Sequence, residues 1–246
     1  MIEKLPSVSE LTQQNTSELK NYLLAITKGK DTESLNRKTL FYKNELSPIF
    51  EELSRRNPFP KAEQQASIIL GVWAPVWSTI PFQDIVPGRI GEQSYQIFHG
   101  NGYYANIARY APGHQLSFLQ NISAKFLAYD LMIIQRYEVQ TGQWYIQNVA
   151  IEQAFRKRYI PLDIDASEDW FTTTVISKSK VFSEKADFPE APDLHNLDKS
   201  TVKKFTKAFL SIPQLEHLYI DSDFRLVKTQ REAKQRPSYT IAVRIR

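Results

Sequence analysis

The stretch GVWAPVWSTIPF, Gly71 to Phe82, sets two of the chain's four tryptophans four residues apart around a proline. A helix is a poor reading, because Gly71 and Pro75 both penalise its interior and Pro81 would end it. In a strand, side chains alternate. Gly71, Trp73, Pro75 and Trp77 then share one face, and Val72, Ala74 and Val76 share the other. Both faces would be largely apolar. Pro75 cannot donate to a ladder, so the strand is expected to lie at an edge, or to bend or bulge at Pro75.

Outward from this stretch, the chain after Pro60 is alternating, β-branched and aromatic, broken by turn signals. Strands are predicted at 68–78, 93–99, 103–110, 122–138, 143–158, 170–182, 215–221, 223–229 and 238–246. Asn101-Gly102 and Thr141-Gly142 mark hairpins. Consecutive strands joined by short turns argue for an antiparallel meander, and a meander of long strands tends to close, which removes its exposed edges. Before it, Leu19, Tyr22, Leu23 and Ile26 follow helical spacing between Ser17 as N-cap and Gly29 as stop. Leu46, Ile49, Phe50 and Leu53 line a second helix, despite Pro48, that ends at Asn57-Pro58. A late helix is predicted over 199–211, where Val202, Phe205 and Phe209 form a stripe before Pro213. The expected fold class is mainly β (α+β): one domain over 1–246, an N-terminal helical pair over 17–56, and an antiparallel barrel over 68–246 interrupted by the late helix.

Composition removes several function classes. The chain has 246 residues and no cysteine, which excludes disulfides and thiolate metal sites. No apolar run approaches the roughly 20 residues of a membrane-spanning helix. The first twenty residues have neither signal-peptide nor transit-peptide character, so the protein is expected to act where it is made or to have lost a leader. Net charge is +4, a mild excess that attracts anionic surfaces only if clustered. The segment KTQREAKQR, with Lys228, Arg231, Lys234 and Arg236, reads as a solvated hairpin loop or as a contact for lipid head groups or a partner. Nucleic acid is not an expected partner, since no aromatic RNA-binding pattern or recognition helix accompanies the charge.

Catalytic signals are sparse. His99, His114, His195 and His217 are scattered and read as ordinary histidines, and there is no GxSxG, HExxH, P-loop or GxGxxG. No metal or other cofactor is expected. Asp163, Asp165, Glu168 and Asp169, and separately Asp221 and Asp223, can be read as a calcium or acid/base set or as solvated turn residues. Aromatic residues are the stronger signal. In YYANIARY and WYIQNVAIEQAF large side chains share strand faces with small ones, as in Trp144, Ile146, Asn148, Ala150 and Ala154. Small inward side chains leave volume for one apolar ligand inside a barrel of about eight strands, and a filled core is the alternative.

Several segments, in order, resemble the plastid lipid-associated protein (fibrillin) family of chloroplasts and cyanobacteria. They are LKNYLLAITKG, SPIFEELSRRNPFP, LGVWAPVWSTIP with its Leu-x-Gly-x-Trp element, and LEHLYIDSDFRLVK followed by the apolar YTIAVRIR. The resemblance brackets residues 19–246. It implies a lipocalin-like barrel that binds or sequesters lipophilic molecules (lipid, quinone or carotenoid), without catalysis, at thylakoid membranes or lipid globules. A cyanobacterial cytoplasmic setting, or a plastid one after loss of a leader, goes with it. It also implies a structural closure in which Trp73 packs near an arginine, Arg225 by position or Arg244 in its place. The cavity-lining candidates are Trp77, Tyr104, Phe126, Trp144, Ile146 and Ala150. Two other classes stay open: a scaffold for a membrane-associated enzyme, and an enzyme or chromophore lyase using an inward carboxylate such as Glu152 or Asp130. The chain departs from the family's uninterrupted first strand at Pro75, and residues 85–200 give little motif-level match.

Overall fold

The Trp-Pro-Trp stretch is a strand, β1 (Gly71–Ser78), and its first residue has to be glycine. Gly71 has a φ of +112°, and a Cβ there would meet the Arg246 carbonyl oxygen at 2.4 Å. A computed structural model describes residues 8–81, 88–111, 127–184, 199, 203, 206, 213–230 and 235–246. Seven more strands follow: β2 (Arg89–Phe98), β3 (Tyr103–Tyr110), β4 (Leu127–Gln140), β5 (Gln143–Lys157), β6 (Gln214–Ile220), β7 (Phe224–Gln230) and β8 (Ser238–Arg244). Each pairs antiparallel with the next, and β8 returns to β1 through Trp73↔Arg244 and Ser78↔Thr240, so the eight strands form a closed ring. The last strand therefore covers the backbone edge of the first. The thinnest seam is β5–β6, paired only at Trp144↔Leu215 and Tyr145↔Gln214 among the described residues.

Alternation is interrupted at bulges that decide what faces inward. Between Pro75 and Trp77 the β1–β8 register shifts, so Val76 is an extra residue, as the proline led us to expect. Trp77 consequently turns to the opposite face from Trp73 and Pro75. A second shift in β4–β5 leaves Val149 as the extra residue between Asn148 and Ala150, and a third, in β6–β7, falls at Leu218. A one-residue slip exchanges the two faces of everything beyond it.

The helices cover the outside of the ring and one of its ends. α1 (Val8–Gln13) and α2 (Thr16–Thr27) come first, then α3 (Leu35–Phe41), a π turn over Tyr42–Leu46, and α4 (Ser47–Arg55). The helix start is Asn15 rather than Ser17: Asn15 and Glu18 form a reciprocal capping box at 2.8 and 2.9 Å. Pro48 is tolerated because the π turn places it in the first turn of α4, where its missing N–H is needed least. Leu19, Leu23, Phe41, Leu46, Ile49, Phe50 and Leu53 pack on Trp77, Phe224, Leu226 and Ile241. The short α5 (Ala62–Ile68), which lies just ahead of β1 and is not legible as a helix in the sequence, sits against the cluster that fills one end of the ring.

The predicted strand at 170–182 is instead helical, part of α6 (Ile164–Glu184). Its Thr, Val and Ile content favours a strand locally, but Ser167, Phe171, Thr174 and Val175 are buried at helical spacing. Phe171 and Val175 pack on Val72, Tyr95, Ile97 and Met132 of the sheet's outer face. Tertiary burial overrides propensity here. Of the predicted late helix over 199–211, residues 199, 203 and 206 are described and are helical; the others lie outside the described residues.

Candidate functional site

The ring encloses a cavity of about 230 Å³. Its surface is mainly apolar, with Leu131, Ile133, Ile146, Ile151, Leu215 and Val227 among the lining residues, and Ser94, Thr229, Ser238 and Thr240 add hydroxyls to it. At one end Trp73, Phe98, Tyr104, Tyr137, Trp144 and Ile220 pack into a floor. Phe98 and Tyr104 are stacked with centroids 4.4 Å apart, and the Trp73 indole N–H donates to the Ile69 carbonyl at 2.7 Å. Toward the other end the lining includes Arg89, Tyr110, Gln235 and Arg236.

Just above the floor runs a continuous line of polar side chains. Gln96 donates to Asn106 at 2.8 Å, Asn106 to Gln135 at 2.6 Å, and Gln135 to Asn148 at 2.7 Å. Two of these steps follow directly from register, since Gln96↔Asn106 and Gln135↔Asn148 are cross-strand partners. At the other end of the line Gln96 accepts from Arg225, whose guanidinium also reaches His217 Nε2 at 3.5 Å. His217 Nδ1 lies 3.1 Å from Gln65 Oε1, which accepts from the Trp144 indole N–H at 2.8 Å. An amide oxygen cannot donate, so His217 carries its proton on Nδ1 and turns a lone pair to Arg225. Burial, reinforced by the Arg225 charge, holds the His217 pKa well below its ordinary 6.5, so this ring is neutral.

Arg225 is the one charged group in that line. It is 1% exposed, lies over Trp73 at 5.1 Å and Phe98 at 4.8 Å, and has no partner on Nε. Arg244 covers Trp73 at 4.3 Å, with its own nitrogens donating to the Ile68, Leu70 and Ser222 carbonyls. Burial lowers the Arg225 pKa to about 9, so it stays protonated at neutral pH. No carboxylate pairs with Arg225 among the described residues, and none is among the cavity's described lining residues.

The six cavity-lining candidates fall differently. Tyr104 and Ile146 line the cavity. Trp144 does not: it lies in the floor cluster, held by Gln65 and packed on Tyr137 and His217. Trp77 is a correction, because the Val76 bulge turns it outward under α2–α4, 6.3 Å from the Phe41 ring centroid. Ala150 is corrected for the same reason, the Val149 bulge sending it to the outer cluster under α6. Phe126 lies outside the described residues. Trp73 and Arg225 are in the contact expected of them, and Arg244 shares it.

The carboxylates suspected of chemistry have structural partners, apart from the exposed Asp169. Asp130 is on the outer face, gripped bidentately by Arg109 at 2.6 and 2.8 Å, and Glu152 pairs with Lys178 at 2.5 Å. Lys20 bridges Asp221 and Asp223 at 2.8 and 2.6 Å, tying α2 to the β6–β7 turn. Asp163 caps α6 through the Ala166 N–H, and Arg246 joins Asp165 to Glu168. No metal-binding group of three acidic or histidine side chains occurs among the described residues. The sequence reading missed the amide line and the part played by His217. One signal for it was present: an amide two residues from an inward apolar side chain in Gln96-x-Phe98, Tyr104-x-Asn106, Ile133-x-Gln135 and Ile146-x-Asn148.

Compared with known protein families, with curated proteins and with solved structures, the chain matches none. Among the described residues no helix is long and apolar enough to cross a membrane.

Proposed function

We propose that this protein is a non-enzymatic carrier or store for a lipophilic molecule, held inside a lipocalin-like barrel. The observation that carries the reading is the cavity of about 230 Å³ with a mainly apolar surface inside a closed ring of strands. That volume is on the order of eight water molecules' worth of liquid. Buried apolar pockets with a few placed polar groups are the usual form of small-molecule sites. The resemblance to the fibrillin family supports the same reading and adds thylakoid membranes or lipid globules as the place of action.

The test is native mass spectrometry of protein purified from its own organism, followed by solvent extraction. One lipophilic molecule per chain is the expected result. Repeated recovery of none from protein that stays folded would sink the reading.

A further inference from the structure

We propose that the ligand carries a single carboxylate and binds head-inward, its carboxylate on Arg225 at the cavity floor and its aliphatic chain along the wall toward Arg89 and Arg236. This rests on the lipophilic-site reading above and names the chemical class of its ligand.

An unbalanced charge lies at the cavity floor. Arg225 is buried, lines the cavity, and has no acidic partner among the described residues. A guanidinium has five N–H donors, and the contacts of Arg225 are one to Gln96 and one, at the limit of hydrogen-bond distance, to His217. Taking a charge out of water without a counter-charge is costly, and breaking up a buried pair by removing one partner is among the largest destabilisations known. The neutral groups around Arg225 orient it without neutralising it: an amide oxygen, an imidazole lone pair and two aromatic faces.

The same surroundings choose the anion. Arg244 is a second cation beside Trp73, but its nitrogens are taken by backbone carbonyls, so the N–H without a partner belongs to Arg225 and suits one small planar anion better than a phosphate with three oxygens to satisfy. A planar carboxylate suits a guanidinium fork whose Nε has no hydrogen-bond partner. The cations at the other end are engaged elsewhere. Arg89 pairs with Asp31, and Arg236 is exposed and donates to Thr39. Aliphatic wall residues between the two ends suit a straight hydrocarbon chain.

The probe is dodecanoate, compared with dodecan-1-ol of equal chain length, by calorimetric titration of the full chain at neutral pH. We expect the acid to bind about tenfold tighter or more, the usual worth of a charged hydrogen bond. Dodecanoate labelled at its carboxyl carbon should stay ionised in the complex at pH values where the free acid is protonated. Arg225→Met should remove the preference for acid over alcohol and keep alcohol binding, while Arg236→Ala should keep the preference for acid over alcohol. If Arg225→Met does not fold, the acid–alcohol ratio and the carboxyl titration of the unmodified protein still decide. Equal binding of acid and alcohol would overturn the head-group proposal and leave the lipophilic site standing. Loss of the preference in Arg236→Ala with its retention in Arg225→Met would also overturn it. Binding of neither probe would remove the lipophilic-site reading itself.

Discussion

Gly71 and His217 are single residues whose surroundings fix their chemistry. At Gly71 the left-handed backbone and the approach of Arg246 leave no room for a side chain. Gly71→Ala should therefore cost about 1–3 kcal/mol from backbone strain alone, with more from the collision, and thermal unfolding reads it directly. His217 is buried neutral, so unfolding at acid pH takes up a proton there. Below its ordinary pKa of 6.5 the unfolded state is favoured, by up to about 1.4 kcal/mol per pH unit down to the depressed folded value, and above 6.5 the effect vanishes. His99, lowered by burial, acts in the same direction. His217→Gln preserves a donor and an acceptor, and should flatten the acid side of the stability profile, leaving the smaller slope due to His99. An unchanged slope in urea unfolding between about pH 5 and 7 would show that His217 is not the neutral member of the line.

Among the elements, β1 and β5 show how far alternation can be trusted. Their identity as strands and the Pro75 irregularity were readable, because hydrophobic pattern and proline chemistry are local. The face of Trp77 and of Ala150 was not readable, because one extra residue reverses it and only the register with the neighbouring strand reveals where that residue lies. The reading of α6 as a strand failed for the same kind of reason: what decides it is the outer sheet face that Phe171 and Val175 cover. Phe171→Ala should cost about 3–5 kcal/mol, the usual penalty for emptying a buried aromatic site, measured by urea unfolding. The β4–β5 turn carries the opposite lesson. Thr141-Gly142 was legible as a hairpin, yet Thr141 sits at φ +48°, where a β-branched residue is strained. Thr141→Asn should raise stability by about 0.5–1 kcal/mol, and a fall in the melting temperature would contradict that turn geometry.

For the whole molecule, the closed meander under N-terminal helices was legible from strand spacing, turn signals and two amphipathic helices. The cavity was only half legible. Tyr104 and Ile146 followed from alternation, but the line from Asn148 through Arg225 to Gln65 draws on β2 to β7 and α5, and no local pattern joins residues so far apart in sequence. That line divides the interior into a packed floor and an open upper volume, and the central claim is that the open volume holds a ligand. Ala108 lines it, so Ala108→Phe fills space without replacing any group of the polar line. The most direct measurement is saturable binding of a fluorescent fatty-acid probe to the unmodified chain and to Ala108→Phe, with folding checked by circular dichroism. The account predicts one probe per chain for the unmodified protein and at least about tenfold weaker binding to folded Ala108→Phe, since added bulk in an occupied space is paid in binding. Equal binding to both would place the ligand outside the ring and contradict the account.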